Sequence, residues 1–377
     1  MRKPRRLDVA IARAHIEQIV RPTWFPRIQR SRMIGILLGA ALAGGLIVPA
    51  KAADPGTLQT AVDRTTAGAE SPGPIPLVAV PVSARTHVLF GAWVKPQDNQ
   101  APQDALAAME SEIGRTYDVY HYYHGWQNPL LSDQGLWASS HGSKLLINWK
   151  AALEWSGGKS NGAGAGYVRW ADIAAGKQDA VIRARARELK GFKKVVYLNF
   201  HHEPEDDRDI PGERKAGSPV QFVAAWRHIW TVFHSMRVTN VRWVWIMMGT
   251  TFKDGGAKKW YPGDKYVDIV GDDAYNWFNT NHRGASWTSF KTAFQPGYSY
   301  AVSKGKPLWV TEVGVQEDPA RPGRKAAWFR SMESQIKAWP DLRALIYFMG
   351  GENGWWVDSS SSALAAYKAI ARDPLFN

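Results

Sequence analysis

Lys194-Val-Val-Tyr-Leu-Asn-Phe200, followed at once by His201-His-Glu-Pro-Glu205, is the stretch on which the fold turns. A short, nearly continuous apolar run of this kind is the pattern of a strand buried on both faces. The abrupt change to titratable residues at its end is what the C-terminal rim of a parallel barrel presents. Working outward, the same alternation recurs along the chain. Strand-like runs occupy Val88 to Val94, Val119 to Tyr123, Lys144 to Trp149, Arg242 to Met248, Tyr266 to Val270, Leu308 to Val313 and Ala344 to Phe348. Helical patterns lie between or after them, at Ala101 to Ile113, Ala180 to Leu189, Val220 to Met236, Trp287 to Val302, Ala326 to Ala338 and Ala363 to Ala371. Eight runs in alternation with helices predict one (β/α)8 TIM barrel, a fold that needs about 250 residues. An open doubly wound sheet is the competing topology, and it is disfavoured because no Gly-rich phosphate loop follows the first run.

The N-terminal part reads differently. Arg27, Arg30 and Arg32 precede the apolar run Met33 to Val48, and Ala50-Lys-Ala52 has the small-x-small form of a cleavage site. The expectation is an export signal over 1–52, with a single membrane anchor as the alternative if the segment is not cleaved. Residues 53–85, rich in Pro, Gly, Ala and Thr, read as a flexible linker, and 86–377 as the catalytic barrel.

Composition excludes several functions. With no cysteine among 377 residues there is no thiol nucleophile, disulfide or Cys-ligated metal. The net charge of +13 invites a nucleic-acid reading. Yet residues 1–52 hold ten Lys/Arg against Asp8 and Glu17, which leaves only +5 for the rest, without a basic run. No nucleic-acid partner is expected. The chain carries 19 Trp, and flat indole faces suit sugar rings as well as cores.

The rim rule selects Glu203 and Glu312 from 34 acidic residues, since Glu203 follows the fourth run and Glu312 the seventh, in Leu308-Trp-Val-Thr-Glu312-Val-Gly314. Two carboxyls facing each other across a cleft can cleave a glycosidic bond, one protonating the leaving oxygen and the other meeting the cationic transition state. A separation of about 5 to 5.5 Å gives retention and about 6.5 to 9.5 Å inversion. Sequence leaves that gap open.

At these residues the chain resembles glycoside hydrolase family 26, the retaining β-mannanases and related endo-glycanases. The resemblance rests on Phe90-Gly-Ala-Trp93, His202-Glu203, Trp260-Tyr-Pro-Gly-Asp-Lys-Tyr-Val-Asp268 with Gly271-Asp-Asp-Ala-Tyr-Asn276, and Lys306-Pro-Leu-Trp-Val-Thr-Glu-Val-Gly314, within residues 87 to 375. It implies that Glu203 is the proton donor, Glu312 the nucleophile, Tyr275 the hydroxyl that bonds the nucleophile, and His202 a subsite residue. It also implies a β-linked polysaccharide or oligosaccharide substrate, β-mannan first, with β-1,3-xylan and mixed-linkage β-glucan open. Two departures weaken mannan specificity: Asn199 stands where an Arg is usual, and Pro204-Glu-Asp-Asp-Arg208 replaces a Trp-rich stretch.

The remaining candidates carry bland alternatives. Trp355 and Trp356, after the eighth run, are expected as sugar platforms above the rim, and Trp149 and Trp126 as further ones, unless they are core. His121 is a ligand contact or a satisfied core imidazole. The histidines fit no zincin spacing, so no metal is expected, and no cofactor is required. Asp272-Asp273 is expected as a solvated turn or helix cap rather than a reactive pair. The Gly157 to Gly166 stretch lacks the phosphate-loop spacing and reads as a rim loop. The expected protein is a secreted, monomeric endo-β-glycanase, with a non-catalytic carbohydrate-binding barrel as the alternative.

Overall fold

The computed structural model describes residues 87–153, 166–280, 282, 285–350 and 354–376. They belong to the second of two compact units, Leu77–Asn377. The expected signal segment and linker, the Gly-rich residues 157–165 and residues 351–353 lie outside the described residues.

Eight strands form a closed parallel barrel: β1 (Leu89–Val94), β2 (Val119–His124), β3 (Lys144–Trp149), β4 (Val196–Phe200), β5 (Val241–Met248), β6 (Ile269–Asn276), β7 (Leu308–Val315) and β8 (Leu342–Met349). β8 returns to β1 in continuous register from Leu89↔Ala344 to Val94↔Met349. Nine helices are described around it: α1 (Pro102–Ile113), α2 (Asp133–Ser140), α3 (Trp170–Ala174), α4 (Asp179–Phe192), α5 (Pro219–Ser235), α6 (Gly249–Lys253), α7 (Phe290–Ser303), α8 (Arg324–Ala338) and α9 (Ser361–Ala371). The (β/α)8 expectation holds. The three helices that the apolar periodicity did not announce, α2, α3 and α6, span eight, five and five residues, too short to show an amphipathic repeat.

Strand alternation divides the barrel interior into layers. Val119, Leu146, Val244, Ile246, Ile269, Trp309, Ala344 and Ile346 make a separate buried cluster that plugs it. Truncating one of these, such as Leu146→Ala, would cost about 2–5 kcal/mol. Two residues further along β2, β3 and β4 the same face carries His121, Asn148 and Asn199, all buried. The interior therefore turns from apolar to polar toward the C-terminal rim. Outside, each helix seals the barrel with one stripe. In α5 a capping box of Ser218 and Gln221 with Pro219 in the first turn sets the start, and Phe222, Ala225, Trp226, Ile229 and Phe233 turn inward. Gly91 is required where β1 meets β2, because a Cβ there would lie 2.7 Å from the Val119 carbonyl oxygen.

The sixth strand departs from expectation. Tyr266 ends a 3-10 turn, and the strand runs through Gly271-Asp-Asp-Ala-Tyr-Asn276. Asp272 and Asp273 are consequently both buried strand residues, which corrects the reading of a solvated turn or cap. Their side chains part at opposite faces: Asp273 enters the polar barrel mouth, while Asp272 sits under α7 in space left by Gly249 and Gly297. No helix among the described residues is long and apolar enough to cross a membrane.

Candidate active site

Glu312 is presented by β7 at the barrel mouth. The β6–β7 register slips between Asp272↔Val310 and Asp273↔Glu312, so Thr311 is an extra residue and Glu312 faces Asp273. The Glu312 carboxylate, 5% exposed, accepts two hydroxyl protons: Tyr123 at the end of β2 donates to Oε1 at 2.5 Å, and Tyr275 on β6 donates to Oε2. Burial and the Glu312 charge raise both phenols well above the ordinary tyrosine value, so they remain donors. Burial lifts Glu312 to about 6, against the pull of the two hydroxyls and of the Lys150 charge.

Glu203 follows β4 on a strained turn. His201 and Glu203 both have left-handed backbone, φ 57° and 48°, which is uncommon for residues with a Cβ. The turn is pinned where Glu203 N–H reaches the Ile246 carbonyl and where Met248 N–H donates to Glu205 Oε1 at 2.8 Å. The Glu203 carboxyl is held well above its usual range by burial first, then by the negative charge of Glu312. Asp273, with Thr311 Oγ1 donating to its Oδ1 at 2.5 Å, is raised for the same two reasons. One oxygen from each of Glu203, Asp273 and Glu312 lies within 4.8 Å of the others. The result is one carboxylate held by two hydroxyls, Glu312, beside two carboxyls whose proton affinity is raised by burial and by its charge.

The other sequence candidates separate into three groups. His202, 6% exposed, lies beside the site with its ring 5.2 Å from that of Tyr123, and burial keeps it neutral. Trp356 is half-buried at the rim. His121, Trp149 and Trp355 are corrected. His121 is fully enclosed: Asn148 Nδ2 donates to its Nε2 at 2.8 Å, and its Nδ1 lies 3.5 Å from the Tyr123 hydroxyl. It touches no open space and instead backs Tyr123. Trp149 is completely buried and stacks on Trp126 at 4.3 Å, so neither offers a free face. Trp355, 4% exposed, stacks on Tyr275 at 4.0 Å above the bare Cα of Gly314. Large rings close to a strand end pack into the layer between strands and helices before they reach solvent.

The sequence reading missed Tyr123, which ends its strand as Tyr275 does. A rim rule applied to hydroxyls as well as carboxyls would have found it. It also missed Trp93, which stacks on Phe348 at 4.2 Å beside Tyr123, and half-buried Trp277 beyond Tyr275.

A (β/α)8 barrel with opposed glutamates after β4 and β7, one held by hydroxyls and the other raised in proton affinity, is the arrangement found in the glycoside hydrolase class. The family model for glycosyl hydrolase family 26 matches residues 177–306. Endoglucanase H of Acetivibrio thermocellus is 29% identical over 287 residues, which are 74% of this chain and 30% of that protein, so the chain spans less than a third of this relative. Among solved structures, a family 26 β-mannanase from Bacteroides ovatus superposes with a TM-score of 0.53 at 15% identity, over 77% of this chain and 90% of the other. A Cellulomonas fimi endo-β-1,4-mannanase double mutant gives 0.53 at 17% identity, over 77% and 71%. The chain is thus similar to glycosyl hydrolase family 26 over residues 177–306 and shares the barrel of its solved members.

Proposed function

We propose that this protein is a retaining endo-β-glycanase working by double displacement. Glu312 attacks the anomeric carbon while Glu203 protonates the leaving oxygen; Glu203, now ionised, then activates the water that releases the sugar. The observation that carries the reading is the approach of the two carboxyls: an oxygen of Glu203 and one of Glu312 lie within 4.8 Å, which fits the short gap of direct attack better than the wider gap of an inverting mechanism. Both groups are raised, but Glu203 further than Glu312, whose two hydroxyl partners pull it back, and that difference supports the same roles.

The family resemblance by itself suggests β-mannan. A β-glucan is the backbone we favour, because the relative with 29% identity is called an endoglucanase, whereas the mannanases share 15–17% and carry the fold alone. Asn199 and Pro204–Arg208, where the mannanase pattern is absent, support that preference. The test is reducing-end release from mixed-linkage β-glucan, cellulose, β-mannan and β-1,3-xylan, with NMR of the first-formed anomer. Retained configuration, lost in Glu312→Gln, supports the reading; an inverted product overturns it. Release from mannan but not glucan would return the backbone to mannan.

We further propose export through the segment 1–52, supported by the Arg27–Arg32 charges, the apolar run and Ala50-Lys-Ala52. N-terminal sequencing of protein from the culture medium would find a start near residue 53; a full-length, membrane-bound product would mean an anchor.

A further inference from the structure

Pro204–Arg208, the segment with no part in the displacement chemistry, builds a second polar cluster directly behind Glu203. Its centre is Asp207, 6% exposed. The Asp207 carboxylate binds Lys150 Nζ at 2.6 Å, His201 Nε2 at 2.9 Å and the Tyr167 hydroxyl at 2.5 Å. His201 is equally constrained: its Nδ1 accepts from Ala151 N–H at 3.3 Å and from Trp170 Nε1–H at 3.2 Å, which leaves Nε2 as the atom that carries the proton toward Asp207. The turn also closes on itself, since Asp206 and Asp207 N–H reach the carbonyls of Glu203 and Pro204. Three elements thus converge on one carboxylate: Lys150 just after β3, Tyr167 before α3, and His201 just after β4.

We propose that Asp207 is a positioning residue for Glu203, clamping His201 and Lys150 so that the left-handed turn holds and the Lys150 charge is fixed beside the two catalytic glutamates. The inference rests on the roles proposed above for Glu203 and Glu312. Two observations recommend it. The strained residues, His201 and Glu203, are the ones the clamp flanks, and strain persists only where surrounding contacts over-determine it. The Lys150 charge also acts on both Glu203 and Glu312, lowering each. The charged and titratable groups that interact with the clamp residues or their loop are Glu205, Asp206 and Arg208 on that loop, Lys215 and Glu213 opposite, His202 and Glu203 after β4, His121 from β2 and Glu312 from β7.

The test is the pH profile of kcat in Lys150→Met, Lys150→Arg and Asp207→Asn, each checked for folding by circular dichroism. Removing the cation raises both glutamates, so Lys150→Met should move the whole bell upward by about one pH unit. Asp207→Asn leaves the cation uncompensated and should move it downward. Lys150→Arg should restore the wild-type position. Bells that merely shrink, or that move in the same direction in Lys150→Met and Asp207→Asn, overturn the inference. Should Asp207→Asn fail to fold, the Met and Arg variants at Lys150 decide. Activity surviving in Glu203→Gln and Glu312→Gln would instead overturn the catalytic reading itself, separately from the clamp.

Discussion

Asp273 faces Glu312 across the β6–β7 ladder only because Thr311 is inserted between the Asp272↔Val310 and Asp273↔Glu312 pairs. Without that register slip Asp273 would pair with Thr311, and the strict alternation of β7 would turn the Glu312 side chain to the opposite face. The same bulge lets the Thr311 hydroxyl bond Asp273 at 2.5 Å. One backbone irregularity therefore supplies both the carboxylate and part of its setting.

The two glutamates should fail differently. Glu312→Gln should fold normally and lose kcat by about 10⁴-fold or more on every substrate. Glu203→Gln should lose as much on a polysaccharide but far less on an aryl glycoside with an acidic leaving group, which needs no proton. Equal losses on both substrate types for Glu203→Gln would contradict its role as acid.

The tyrosine hydroxyls hold the acid limb. Each donates to Glu312 and lowers its affinity for protons. Hydrogen bonds to charged groups contribute about 1.5–3 kcal/mol. Tyr123→Phe and Tyr275→Phe should each shift the acid limb of kcat upward by about one unit, because a weaker-held carboxylate loses its proton later as pH rises. An unmoved limb in both variants would remove the hydroxyls from the mechanism.

Trp355 offers a way to tell a sugar platform from a support. Because it stacks on Tyr275 and is buried, Trp355→Ala should lower kcat and move the acid limb as Tyr275→Phe does, with thermal stability falling by about 3–5 kcal/mol. A raised KM with unchanged kcat and limb would restore the platform reading. Gly314→Ala should have a milder form of the same effect, since its Cβ would meet the indole at 2.6 Å, an overpacking of about 1–3 kcal/mol.

Asp272 should make stability fall with rising pH. Burial, then the Glu205 charge, raises its folded-state value well above the unfolded one. A carboxyl raised in this way contributes fully below the unfolded value of about 3.9 and is penalised by about 1.4 kcal/mol per pH unit from there toward its folded value. Asp272→Asn should therefore gain stability relative to wild type between pH 5 and pH 8, measured by urea unfolding at each pH. A constant difference across that range would show that Asp272 is not protonated in the fold.

Much of the site was legible because barrel geometry converts sequence position into spatial position. Glu203 and Glu312 end their apolar runs, and a strand end is a rim position whatever the helices do. Tyr275 was reached through the family pattern, while Tyr123, ending β2 in the same way, was passed over because the rim rule was applied to carboxyls. The aromatic expectations were the weak part. Trp149, Trp126 and Trp355 have the composition of platforms and the position of rim residues, yet each meets another ring first.

By itself the sequence determined the features that periodicity dictates: eight strands alternating with helices, and the two glutamates at the ends of the fourth and seventh. The chain's one-dimensional alternation fixes which residues point inward and how far up the barrel they stand. Only the tertiary structure decided the features that depend on contacts between residues far apart in the chain. The approach of Glu203 and Glu312 oxygens to within 4.8 Å, the hydroxyls of Tyr123 and Tyr275 on Glu312, and the clamp of Asp207 on Lys150 and His201 belong to that group. The physical reason is that proton affinity and ring exposure are set by neighbours within a few ångströms, and those neighbours come from different strands.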